Sequence, residues 1–472
     1  MSDTRRAFLR TAAGAALALQ GLGALSACAP GAPVRGDGGR PDFPPLEPDP
    51  AGWLDLPKGF SCTRISKAGD VMSDGLFEPD AHDGMAAFPV AGDPDRCILV
   101  RNHEIGASRS RGGAFGDDFV RAASLSADQI YDRTAGGRPL LGGTTTLLVN
   151  LRTGRLERSH LSLAGTATNC AGGPTPWGSW LSCEETVERA GDNARRDHGF
   201  VFEVPSQAPG LVTPVPLKMM GRFVHEAAAV DPETGIVYLS EDDQEGLFYR
   251  YLPEATGELQ RGGRLQALAL REQAGGDTRN GSGGLAIEPG RSLIVDWVDL
   301  DDVEAPDGDL RFRGRKAGAA IFARGEGLTL AMEEGRPTVY LVSTSGGPAR
   351  LGQIWRYRPS RFEGRAEERA EPGVLSLFVE GRSASEFEMI DNICASPHGF
   401  LVSAEDGRED NFLRLVTPGG RVFPLARNAH PDRSELCGPC FSPDGSVLFV
   451  NVQKPGVTLA IRGPWGSLVR AV

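Results

Sequence analysis

The chain has 472 residues, with 62 acidic against 50 basic side chains and a formal net charge of −12 at pH 7. That balance repels nucleic acid and anionic lipid, so no nucleic-acid binding is expected and membrane contact has to come through a covalent anchor. An acidic surface suits an anionic substrate only where bound cations invert the local field, and eight cysteines in this length are too few for a disulfide scaffold.

At the N-terminus, Thr4-Arg5-Arg6-Ala7-Phe8-Leu9-Arg10 precedes a weakly apolar stretch from Thr11 to Ala27, interrupted by Gly14, Gln20, Gly21 and Gly23. This reads as a twin-arginine export signal over residues 1–27. The apolar run is short and interrupted, which makes a permanent transmembrane helix the weaker reading. Leu25-Ser26-Ala27-Cys28 reads as a lipobox, which makes Cys28 the lipidated first residue of the mature chain, with plain cleavage near Ala27 as the alternative. The expected location is therefore the periplasm or the outer cell surface. Residues 28–56 are Pro-, Gly- and Asp-rich and are expected to form a disordered tether. Residues 57–472 are expected to form one domain and a monomer.

Beyond the tether, Gly, Pro and Asp punctuate short runs of Val, Leu, Ile, Phe and Tyr, which is an all-β pattern. One unit recurs six times: an apolar strand that ends in polar or acidic residues, at Ile98–Glu104, Trp180–Glu185, Val237–Asp243, Val339–Ser345, Phe400–Asp406 and Val447–Gln453. Several of these are followed by a second strand, as at Phe200–Pro205, Leu247–Pro253, Ile354–Pro359 and Phe412–Pro418. Strand pairs repeated in this way predict a six-bladed β-propeller with inserted loops and short helices. A large β-sandwich or barrel is the competing topology.

In a propeller whose innermost strands carry these ends, Glu104, Glu184, Glu185, Glu241, Asp242, Glu405 and Asp406 converge on the central channel. Unneutralised, they would repel one another. Calcium accepts six to eight such oxygens in irregular geometry, so a bound calcium cluster explains them economically. Each acid taken alone fits a solvated strand end equally well. Cys170 lies in the small-residue segment Gly165–Gly178, where its thiolate could ligate iron, although a buried inert cysteine fits too. Cys437-Gly438-Pro439-Cys440 has the spacing of a redox or zinc pair but lacks a second pair, so it reads as a structural turn or a local disulfide.

Asp83-Gly84-Met85-Ala86-Ala87-Phe88-Pro89, Asn102-His103-Glu104, Gly143-Thr144-Thr145-Thr146, the stretch Thr168–Glu185, Phe223-Val224-His225-Glu226-Ala227, Ala323-Arg324-Gly325-Glu326-Gly327 and Cys440-Phe441-Ser442-Pro443-Asp444-Gly445 together resemble the PhoX alkaline phosphatase family. The resemblance implies a propeller with an iron and calcium cluster that hydrolyses small phosphomonoesters outside the cytoplasm. By motif, Cys170 corresponds to the iron ligand, Glu226 and Glu326 to carboxylate ligands, and Arg324 to the residue that faces substrate phosphate. Glu184, Glu185, Glu241, Asp242, Glu405 and Asp406 are assigned to the metals as well. Lys454 stands where the family carries histidine, and the chain is shorter than well-known members. His103 and His225 each fit a hydrogen-bonded core position. Two other readings use the same acids: a calcium-dependent propeller hydrolase acting on lactones, and a non-catalytic calcium-binding propeller.

Overall fold

A computed structural model describes residues 43–281 and 285–471. The N-terminal strands are β1 (Leu46–Glu47), β2 (Leu54–Pro57) and β3 (Ser61–Lys67). Strands β4 (His82–Val90), β5 (Asp93–His103), β6 (Gly142–Asn150) and β7 (Arg155–Thr166) make a four-stranded antiparallel sheet, and β8 (Asn169–Pro174), β9 (Ser179–Glu184) and β10 (Val201–Pro205) make a three-stranded one. Next come β11 (His225–Val230), β12 (Val237–Glu241), β13 (Phe248–Pro253) and β14 (Gly263–Leu270). Strand β15 (Ser292–Leu300) pairs with β14 on one edge, and on the other with the last of β16 (Gly325–Glu333), β17 (Arg336–Ser343), β18 (Gln353–Arg358) and β19 (Val374–Glu380). The last two groups are β20 (Ile390–Ala395), β21 (Leu401–Glu405), β22 (Phe412–Val416) and β23 (Val422–Asn428), then β24 (Leu436–Phe441), β25 (Val447–Val452) and β26 (Val457–Arg462). Only two short α-helices accompany them among the described residues, α1 (Leu310–Lys316) and α2 (Trp465–Ala471).

The fold is all-β and propeller-like. The first strands of the successive groups, β4, β8, β11, β16, β20 and β24, touch one another in order, and β24 returns to β4, so they close a ring around a channel. The chain seals itself by pairing N-terminal β3 on C-terminal β26, which hides a sheet edge that would otherwise invite association. Alternation along each strand puts Leu, Val, Phe and Tyr between neighbouring sheets. Leu99, Leu181, Tyr238, Trp355, Val402 and Phe449, from six different strands, are all at most 1% exposed.

Two expectations need correction. The segment assigned to a disordered tether is ordered from Phe43 onward: β1 pairs with β2, β2 pairs with β23, and Leu54 and Leu56 are buried. Polar composition hid the two apolar residues that anchor it. The recurring apolar strands that end in acids are also not innermost; as β5, β9, β12, β17, β21 and β25 they lie second from the channel. The signal and Cys28 lie outside the described residues.

Candidate metal centre in the channel

Each inner strand begins with the same device. Within its first five residues the register against the second strand slips, as between His82 and Met85 or Gly325 and Leu328. A bulge of this kind re-aims side chains. The second residue of each inner strand is Asp83, Cys170, Glu226, Glu326, Asp391 or Cys437. The third is small in five of the six strands: Gly84, Ala171, Ala227, Gly327 and Gly438, with Asn392 the exception. Close approach around the channel demands this, since a Cβ on Gly84 would fall 2.6 Å from the Ala171 Cα and one on Gly327 would fall 2.6 Å from the Asp391 carbonyl.

A second tier comes from the ends of the second strands. The backbone N–H groups of Glu104, Glu185, Asp242, Thr344, Asp406 and Gln453 donate to the carbonyls of Ala81, Thr168, Val224, Arg324, Met389 and Glu435, each of which immediately precedes an inner strand. Arg324 and Thr168 adopt left-handed φ values of 51° and 49° to make this junction. Such conformations cost on the order of 1 kcal/mol or more outside glycine and are common where a side chain must be held for function.

Potential ligand atoms lie within 4.8 Å of one another in four overlapping groups: Asp83, Glu104 and Cys170; Cys170, Glu185 and Glu226; Glu185, Asp242 and Glu326; and Glu226, Glu326 and Asp391. The Cys170 Sγ sits 3.4 Å from Glu226 Oε1. Asn102 fixes the cysteine's strand, because its Nδ2 donates to the Cys170 and Ala171 carbonyls at 3.0 and 2.7 Å while its Oδ1 accepts from Trp180 and Ser182. Gln453 Nε2 donates to Glu104 Oε2 at 2.6 Å.

Burial, and then mutual repulsion, raises these carboxyls. Asp391 is pushed up to about 7, first by burial and then by Asp406. Glu104 also reaches about 7, with burial the main cause. Asp83, Glu185, Glu226, Glu326 and Glu435 are raised well above the ordinary carboxylate range for the same reasons. Oδ1 of Asp83 and Oε2 of Glu226 are buried with no hydrogen-bond partner. Buried acceptors are normally satisfied, so this set of carboxylate oxygens and one thiol fits cations, which would relieve both the repulsion and the orphaned oxygens.

Arg324 stands beside the group. Its Nε and Nη2 donate to Asp242 at 2.8 and 3.1 Å, and Nη2 also donates to Glu326 at 2.5 Å. Nη1 makes no hydrogen bond among the described residues.

The structure thus gathers Cys170, Glu185, Glu226, Asp242 and Glu326 with Arg324, and Asp406 lies close by, raised by burial. It turns Glu184, Glu241 and Glu405 the other way. Adjacent residues at a strand end point to opposite sides, so the first acid of each pair enters the sheet and ties the next strand down. Glu184 accepts from the Gly199 and Phe200 amides and from His198 at 2.6 Å. Glu241 accepts from the Leu247 amide and from Tyr249 Oη, and Glu405 from the Phe412 amide and from Arg414 at 2.7 Å. These three carboxylates are structural struts, a correction to their assignment as ligands. Burial lowers the His198 pKa, but Glu184 and Asp132 outweigh it and lift the ring to about 9.

Asp83, Asp391 and Glu435 were missed. Only Asp83 carried a signal, a polar residue next to a small one just ahead of an apolar strand in Asp83-Gly84, a pattern that Glu226-Ala227 and Glu326-Gly327 share, whereas Asp391 is followed by Asn392 and Glu435 by Leu436. His103 and His225 are fully buried core groups, with His103 bonded to the Asp80 carbonyl and Thr145 and His225 to the Gly221 carbonyl. Cys437 and Cys440 are both free within β24, so the bulge supplies the turn and there is no disulfide.

Fold and site together define a propeller-like protein whose channel gathers carboxylates and a thiol that could hold cations beside a fixed arginine. Residues 41–456 match the family model described as alkaline phosphatase PhoX. The chain belongs to the PhoX alkaline phosphatase family and is a phosphatase. Among solved structures it is similar to Pseudomonas fluorescens PhoX in complex with vanadate, a transition state analogue, at 18% identity over 88% of this chain and 97% of that one, with a TM-score of 0.65. At that identity the likeness bears on the fold. A gluconolactonase from Xanthomonas campestris (12% identity, 91% and 99% coverage, TM-score 0.37) is too distant to carry any argument. No curated protein matches the chain.

Proposed function

We propose that the chain is an exported alkaline phosphatase that hydrolyses small phosphomonoesters at an iron and calcium site in the channel of a six-bladed propeller. The observation that carries this reading is the convergence of Cys170 with Asp83, Glu185, Glu226, Glu326 and Asp391 from successive inner strands and strand ends. The thiolate of Cys170 with Glu226 suits iron, and the remaining oxygens suit calcium. The closed succession of six inner strands supports the blade count.

When bound, such cations withdraw charge from the phosphoryl oxygens and lower the pKa of the attacking oxygen. The chain's own residues then have to orient the ester. Arg324, locked by Asp242 and Glu326 and raised further above its ordinary pKa by them, stays charged and presents Nη1 to a non-bridging phosphoryl oxygen. Phosphoryl transfer depends on positioning and charge stabilisation, so no Ser-His-Asp triad is needed. Asn102 and Gln453 hold Cys170 and Glu104 in place, which keeps the cation set rigid.

Chelation with EGTA is expected to abolish turnover of p-nitrophenyl phosphate by the purified protein, and added calcium to restore it. Full turnover by protein shown by elemental analysis to hold no metal would contradict the proposal. Export rests on Arg5-Arg6 and anchoring on Cys28. Changing both arginines to lysine should leave precursor in the cytoplasm, and undiminished export overturns that part of the reading.

A further inference from the structure

We infer that Asn451 is a positioning residue for the channel site: backed by Thr458 and Arg101, it holds the backbone of Asp83 and thereby sets the affinity of the channel for a cation. The inference rests on the reading of the channel as a metal site. Every inner strand shares one weakness. The register with the second strand skips the second and third inner-strand residues, as between His82 and Met85, Asn169 and Gly172, or Gly325 and Leu328. The residue that carries the candidate ligand therefore sits outside the ladder of its own sheet. At three of the six junctions, a side chain from the second strand of the preceding group bonds the carbonyl of that residue instead. Asn102 Nδ2 donates to Cys170 at 3.0 Å, Ser240 Oγ to Glu326 at 2.6 Å, and Asn451 Nδ2 to Asp83 at 2.5 Å. All three donors are fully buried, so water does not compete for these carbonyls.

The Asn451 bond is the most firmly directed of the three. An arginine only donates, and Arg101 Nη1 donates to Thr458 Oγ1 at 2.5 Å. The Thr458 proton is left for Asn451 Oδ1 at 2.6 Å, in preference to His82 Nδ1 at 3.4 Å. With Oδ1 taken, the amide has one orientation, and Nδ2 faces the Asp83 carbonyl. Arg101 is itself fixed by Glu78, Ser66 and Thr145, each at 2.9 Å. The relay runs across the seam where β26 pairs with β3, so closure of the ring and the backbone of Asp83 are tied together. Asp83 groups with Glu104 and Cys170, and its Oδ1 is buried without a partner. A carboxylate on a clamped bulge gives up less freedom on taking a cation than one on a loose bulge, so loss of the clamp costs affinity.

The test titrates calcium into the chelated full-length protein by calorimetry and records Tm in EGTA on the same samples. Asn451→Leu keeps the shape and removes the amide, Thr458→Val removes the hydroxyl of the relay, and Thr458→Ser keeps it. Val450→Ala, at a buried position of the same strand with no part in the relay, is the control for stability alone. Asn451→Leu is expected to weaken calcium binding about tenfold or more, as loss of a partner behind a ligand does elsewhere. Thr458→Val should weaken it in the same direction, and Thr458→Ser should bind as the wild type does. Val450→Ala should lower Tm and leave the calcium Kd unchanged. A wild-type Kd in Asn451→Leu, equal Kd values in the two Thr458 variants, or a loss as large in Val450→Ala overturns the inference and leaves the cation reading standing. Should Asn451→Leu fail to fold, the Thr458 pair decides alone. Wild-type protein that takes up no calcium overturns the cation reading and this inference with it.

Discussion

Stripped of cations, the protein is expected to lose stability as the pH rises from about 4 to about 7, by about 1.4 kcal/mol per pH unit for each strongly raised carboxyl. Asp391 rises from an ordinary 3.8 to about 7 and Glu104 from 4.5 to about 7 on folding. The folded state therefore binds more protons than the unfolded state between these limits. Stability from these groups is fully present below the unfolded values and is lost as the pH passes the folded ones. Calcium should remove the effect by displacing the protons, and should raise the melting temperature by mass action. His198, lifted to about 9, weakens both forms in the same direction at higher pH. The observable is accordingly the difference in Tm between chelated and calcium-saturated protein, which should widen from about pH 4 to about pH 7. A constant or narrowing difference would show that the carboxyls do not share a cation site.

Arg324 and Cys170 should fail in different ways. Arg324→Ala is expected to lower kcat/KM by about 100-fold or more, near 2.7 kcal/mol, as removal of a preorganised charge donor does elsewhere. It should keep its metal, because Asp242 and Glu326 lose only a competing cation. Arg324→Lys should recover little, since an ammonium cannot hold Asp242 through two donors and reach phosphate as well. Cys170→Ser replaces a thiolate with a hydroxyl that ligates poorly unless deprotonated. Iron content and turnover should fall together in that variant. Normal turnover in Arg324→Ala, or normal iron in Cys170→Ser, would remove the corresponding assignment. Steady-state kinetics and elemental analysis on the same preparations decide both.

The contrast between neighbouring acids shows how much of the site the sequence carried. Runs such as Cys183-Glu184-Glu185 and Ser240-Glu241-Asp242 announce an acidic strand end, but not which acid faces the channel. That choice follows from alternation once the strand end is fixed. Glu185 and Asp242 point inward, while Glu184 and Glu241 bond to the amides of the next strand. Removing Glu405 would strand buried Arg414, a penalty of about 3–5 kcal/mol for an unpaired buried charge. The strut acids thus earn their place through stability.

Legibility of the fold followed the same line. The repeated apolar strands were visible because buried β-strands need Val, Leu and Phe whatever their neighbours. The inner strands were harder to see. Segments such as Asn169-Cys170-Ala171-Gly172-Gly173 and Gly325-Glu326-Gly327 are small and polar because they crowd a channel, so they lack the hydrophobic signature that marks a strand. Taking the second strands for the innermost ones hid Asp83 and Asp391. A search for a polar residue followed by a small one, ahead of each apolar strand, would have found Asp83 but not Asp391, which precedes Asn392.

The proposed function stands on Asp83, Cys170, Glu226, Glu326 and Asp391, the second residues of five inner strands, holding cations, with iron at Cys170. Crystal diffraction recorded on both sides of the iron absorption edge tests it most directly. The expected result is an anomalous peak bonded to Cys170 Sγ and a Glu226 oxygen, with further cation density among Asp83, Glu326 and Asp391. Active enzyme with no anomalous peak at Cys170 would contradict the assignment.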